Sequence, residues 1–152
     1  MSNLIRVTIP SSVKIIENYF CNHPNLKYLI FKPNSSLTTI QKVFLEYCYK
    51  IEELFLPNTV TSIDNLRLLN SATNIKRIFY FGTNDFSRFT YLLNLTSPSV
   101  VVYVSPSYPT EYFGIKRVKS IADYVKCSIA NNHLYSLPLS SFFRFLCVFI
   151  LM

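Results

Sequence analysis

A three-point apolar pattern, apolar-x-x-apolar-x-apolar, recurs along the chain at Leu4/Val7/Ile9, Leu26/Leu29/Phe31, Ile51/Leu54/Leu56 and Ile75/Ile78/Tyr80. Its starts lie 22, 25 and 24 residues apart. Half of the 152 residues are hydrophobic, so an unbroken set of apolar hits has a chance probability of roughly one in four thousand before choice of register. The period therefore reflects a fold rather than a composition. It is too short for helix-pair repeats and falls in the range of about 20 to 29 residues, where each coil of a solenoid contributes one strand.

A second block follows each of the first three patterns: Pro10-Ser11-Ser12-Val13-Lys14-Ile15-Ile16, Pro33-Asn34-Ser35-Ser36-Leu37-Thr38-Thr39-Ile40 and Pro57-Asn58-Thr59-Val60-Thr61-Ser62-Ile63. Proline has no donor for a further ladder bond, so each strand ends there. Asn, Ser and Thr then satisfy local backbone groups in a turn, and an apolar pair three residues apart returns to the interior. The unit runs on through Phe20 or Phe44 and reaches His23, Cys48 or Ala72 three residues before the next strand pattern. The second copy carries extra residues in its turn and in its return segment. The third has Leu66-Arg67-Leu68 where the Phe stands in the others, which predicts an irregular return there.

The consensus L-x-x-L-x-[LIF]-P-x-S/T-V-x-x-I-x-x-x-x-F-x-x-C-x-x-L resembles the BspA-type leucine-rich repeat, and residues 3 to about 86 follow it unit by unit. The segments 78–87 and 100–104, with Pro106-Ser107-Tyr108-Pro109 and Phe113-Gly114-Ile115, are similar to the closing region of the protozoan members. The resemblance implies a leucine-rich-repeat solenoid: short parallel β-strands, one per 22–25-residue coil, joined by irregular or short helical return segments. It also implies a non-catalytic role in protein interaction or adhesion, displayed at the cell surface, and a C-terminal membrane segment. Beyond the repeats, 86–95 is expected as a short helix with Phe89, Leu92 and Leu93 inward. Val100 to Val104 is expected as a buried strand, and Ile115 to Val118 with Ile121 as a last one.

The rest of the sequence mostly excludes chemistry. Two glycines in the whole chain leave no Gly-rich phosphate loop, so nucleotide binding of that kind is out. Cys21, Cys48, Cys127 and Cys147 contain no C-x-x-C pair, which argues against zinc and redox centres and for buried reduced thiols. His23 and His133 have no carboxylate or thiol partner at ligand spacing, and Cys21 beside His23 gives no geometry that aims a base at a nucleophile. Glu52 and Glu53 are strand neighbours and point to opposite faces, which is wrong for an acid/base pair. The expectation is a protein with no enzymatic activity, no cofactor and no metal. The net charge of +7 is spread over every unit, with one group at Lys116-Arg117-Lys119, so nucleic acid is an unfavoured partner and an anionic glycan or membrane surface a better one.

Strand alternation identifies the candidate partner-binding residues. If the pattern residues point inward, the residues between them form outward columns: Arg6/Tyr28/Glu53/Arg77, Thr8/Ile30/Phe55/Phe79 and Pro10/Lys32/Pro57/Phe81. An apolar row on the surface of a solenoid sheet marks a partner site, and Tyr28, Ile30, Phe55, Arg77, Phe79 and Phe81 are the residues expected to contact a protein or glycan. The competing reading is a ladder that only stabilises neighbouring strands. The expected organisation is a solenoid with its closing region over 1–121, a linker over 122–138 and an apolar tail over 139–152 that associates with a membrane. The N-terminus carries no basic segment followed by an apolar stretch, which favours an intracellular scaffold as the alternative to surface display.

Overall fold

The computed structural model describes residues 3–17, 20–42, 44–64, 72–89 and 99–130, with side chains described as far as 125. The first coil holds β1 (Arg6–Ile9) and β2 (Ile15–Ile16), the second β3 (Tyr28–Phe31) and β4 (Thr39–Ile40), and the third β5 (Glu53–Leu56) and β6 (Ser62–Ile63). Then come β7 (Arg77–Tyr80), β8 (Val101–Val104), β9 (Tyr112–Phe113), β10 (Lys116–Ser120) and α1 (Ile121–Ala130). The result is a leucine-rich-repeat solenoid of about three turns.

Each long strand starts a coil, as the period requires, and β1 with β3, β5 with β7 and β7 with β8 pair in parallel. Val7 lies opposite Leu29 in the β1–β3 pair, and Leu54 opposite Ile78 in the β5–β7 pair; Leu29, Leu54 and Ile78 are buried and Val7 is half-buried. Ile78 continues opposite Val102 in β8, which in turn pairs with β10. The short strands after each proline make a second sheet in the order β2-β4-β6, with Ile16, Ile40 and Ile63 in register and buried. Between the two sheets lies one apolar core that includes Leu26, Leu37, Phe44, Ile51, Leu54 and Val60. Threonines stitch the turn layer from coil to coil: the Thr59 hydroxyl donates to the Leu37 carbonyl at 2.7 Å and the Thr38 hydroxyl to the Lys14 carbonyl at 3.2 Å.

The main sheet is interrupted once. β1 and β3 form a two-stranded ladder and β5-β7-β8-β10-β9 a five-stranded one, while β3 and β5 pack side by side without sharing a ladder. The interruption falls at the second unit, the one with the extra residues. The second sheet runs unbroken across the same junction and holds the coils in register there.

The closing region differs from expectation. The last strand is Lys116–Ser120, reached by a tight antiparallel hairpin from β9 whose turn begins at Gly114, with φ 58°. Ile121 opens a helix instead of ending a strand, and the expected linker is helical through Ala130. The reason is local: Ser120 caps the helix, its Oγ accepting the Ala122 N–H at 3.2 Å, and Asp123 sits in the first turn, where the helix dipole favours an acid. Residues 87–89 form a turn, and the rest of the expected helix, 90–95, lies outside the described residues. So do Leu66-Arg67-Leu68, 131–138 and the tail 139–152.

Candidate binding face

The outer face of the main sheet carries the columns that alternation predicted. Arg6 lies opposite Tyr28, Thr8 opposite Ile30, Glu53 opposite Arg77, and Phe55 opposite Phe79. Over β1, β3 and β5 this face is mixed: Arg6 and Thr8 are exposed, while Tyr28, Ile30, Glu53 and Phe55 are half-buried. Two cations lie over the Tyr28 ring, the Arg6 guanidinium carbon 5.3 Å and the Lys27 ammonium 5.4 Å from its centroid. Glu53 and Arg77 are paired at 2.5 Å. Burial works against the Arg77 charge, but the hydrogen bond and charge of Glu53 and the nearby Tyr124 and Tyr103 outweigh it and raise its pKa. Glu52 faces elsewhere and pairs with Lys76 at 2.9 Å, so the two adjacent carboxylates serve separate ion pairs.

Phe79 departs from the expected exposure. It is 0% exposed, although it lies in the outward column. The cause is α1, which crosses the outer face of β8 and β10 and makes a second, smaller core there: Phe79 with Ile121 and Val125, flanked by Phe55, Phe81, Tyr103 and Tyr124. Phe79 is stacked between Phe55 at 4.7 Å and Tyr103 at 5.2 Å, and Tyr124 meets it edge-on at 5.0 Å. It is a packing residue rather than a contact residue. Phe81 and Arg77 remain half-buried at the margin of the helix.

The structure thus brings Tyr28, Ile30, Phe55, Arg77 and Phe81 to one side of the sheet and places Phe79 beneath them. Tyr124 and Tyr103, which extend the aromatic surface, were not singled out from the sequence. The cue was available: Ser120-Ile121-Ala122-Asp123 is a helix-start pattern, and Ile121, Tyr124 and Val125 fall at helical spacing. The other sequence candidates take structural positions. The His23 carbonyl accepts the Leu26 N–H at 3.0 Å in the turn before β3, and Arg117 pairs with Glu111 at 3.2 Å. No cluster of three or more His, Cys, Asp or Glu suited to a metal ion occurs among the described residues. Among those residues no helix is long and apolar enough to cross a membrane.

Residues 1–110 match the BspA type leucine rich repeat region, in 6 copies. No curated protein and no solved structure matches the chain.

Proposed function

The chain belongs to the BspA-type leucine-rich repeat family, a protein-interaction repeat module, and from that premise we propose that it is an adhesion module displayed at the cell surface, which binds a protein or glycan through the outer face of its main sheet. Families and folds of this kind are typically non-catalytic. The observation that carries the reading is the asymmetry of the sheet: α1 covers β8, β10 and Phe79, whereas β1, β3 and β5 keep an aromatic and charged surface around Tyr28, Ile30 and Phe55. Half-buried aromatic and aliphatic groups ringed by Arg6, Lys27 and Lys32 offer an apolar centre with a basic rim, the arrangement in which a few anchors carry most of the binding energy. The basic rim favours partners with sulfate, carboxylate or acidic side chains.

Two experiments test this. An epitope-tagged chain in its own cells should label from outside without permeabilisation; labelling only after permeabilisation would favour an intracellular scaffold using the same face. Purified protein should bind within a panel of anionic glycans and matrix proteins. Tyr28→Ser with Ile30→Ser should remove that binding and leave the melting temperature nearly unchanged. Undiminished binding by the double variant would contradict the proposed face.

A further inference from the structure

The corner of the solenoid just before β3 and the corner just before β5 each carry one buried cysteine, Cys21 and Cys48, both free thiols. Their sulfurs are 3.0 Å apart. A surface shell one residue deep surrounds them: Phe20 and Asn22 on one side, Tyr47 and Tyr49 on the other, all exposed. Tyr47, next to Cys48, has φ 58°, a left-handed conformation that bulky residues seldom adopt. The same corner of the third coil holds Ala72, also buried, so among the described residues these corners contain a single thiol pair. The two corners lead into β3 and β5, the strands that share no ladder.

We propose that Cys21 and Cys48 form a covalent staple between the first two coils, a disulfide made in exchange with a low-molecular-weight disulfide. The sulfurs already approach within hydrogen-bond range across two backbone segments that the coil stacking holds adjacent, so bond formation needs a small closing movement rather than a rearrangement. The Cys48 S–H donates to the Cys21 sulfur, and burial keeps both sulfurs from solvent while the corner is closed. When the corner opens, one of the two thiols loses its proton to solvent, and the thiolate attacks one sulfur of the small disulfide, forming a mixed disulfide and releasing one small thiolate. The other cysteine passes its proton to that small thiolate and attacks the protein sulfur of the mixed disulfide, and the second small thiolate leaves and takes up a proton from solvent. The two cysteines lose two electrons and two protons, and one small disulfide is reduced to two thiols.

The test uses the full chain, incubated under native conditions with oxidised glutathione and then blocked with a maleimide in denaturant. The expected result is a mass lower by about 2 Da before blocking, with tryptic peptides 15–27 and 43–50 joined and separated again by dithiothreitol. Closing the intervening loop should raise the melting temperature by about 6 to 12 °C relative to the reduced protein. Cys48→Ala places in the second coil the residue that the third already has, Ala72, and should fold but show no such rise. Recovery of both peptides fully maleimide-blocked after oxidation would overturn the proposal. So would linkage of either cysteine to Cys127 or Cys147 instead, or an equal rise in Cys48→Ala.

Discussion

Tyr80 closes the last of the apolar patterns, and its ring behaves as the pattern requires: fully buried, edge-on to Phe86, Tyr108 and Phe113 at 5.3 to 5.9 Å. Its hydroxyl was not legible in the periodicity, because periodicity counts Tyr as apolar and is silent on where a phenol finds its partners. The hydroxyl donates to the Val60 carbonyl at 2.8 Å and accepts from the Asn84 backbone N–H at 3.3 Å. Tyr80→Phe keeps the ring contacts and loses these bonds, and the Asn84 amide still reaches the Val60 carbonyl at 3.2 Å. The expected cost is about 1 kcal/mol, read as a lower urea midpoint with unchanged slope. Burial pushes the Tyr80 and Tyr108 phenols above their ordinary value of 10.0. An acid whose folded pKa is raised holds its proton longer when folded, so its contribution is fully present below about pH 10 and is lost as pH rises through the folded value. Urea midpoints should therefore fall between about pH 9 and about pH 11, and fall less in Tyr80→Phe than in the parent. The two glycines show a second limit of reading by composition. Their scarcity excluded phosphate loops, but their places come from packing and turn geometry: a Cβ at Gly82 would stand 2.8 Å from the Asn58 carbonyl, and Gly114 needs its positive φ.

At the level of elements, the strands were readable because each sets one face inward and a proline ends the first three. Val7 and Leu29, and Leu54 and Ile78, lie opposite each other on the inward side for that reason. The helix was not read, because Ile115 to Ile121 is rich in β-branched residues and the capping serine sits at the end of that run. Missing α1 had one consequence for the candidate face. A surface column is exposed only if nothing packs over it, and sequence alternation reports the side of the sheet and not what lies beyond. Phe79→Ser should accordingly behave as a core change, destabilising by about 3 kcal/mol or more and speeding amide exchange throughout α1. Tyr28→Ser, outside the reach of the helix, should stay within about 1 kcal/mol of the parent. Equal and small effects from the two would mean that α1 does not pack on Phe79.

For the whole molecule, stability in a solenoid is a sum over coils and the contacts between neighbours, so it need not be uniform. In this chain Leu4, Val7 and Val13 of the first coil are half-buried, whereas Leu54, Ile78 and Val102 are buried completely and α1 closes over the later strands. Native-state hydrogen exchange should release the Lys27 and Lys32 amides, which bond to the Ile5 and Ile9 carbonyls of the first coil, before those of Val101 and Ser105, bonded to Lys76 and Tyr80. A single exchange rate for all four would show that the coils open together. The same asymmetry, closed at α1 and open over β1 to β5, is what the proposed function depends on. Its most direct measurement is site-specific photo-crosslinking on intact cells, with benzophenone placed at Tyr28 on the main sheet or at Ser62 on the exposed side of the second sheet. Covalent adducts to an extracellular protein or glycoprotein are expected from Tyr28 and none from Ser62; adducts from Ser62 alone, or equally from both, would rule out binding through the main sheet.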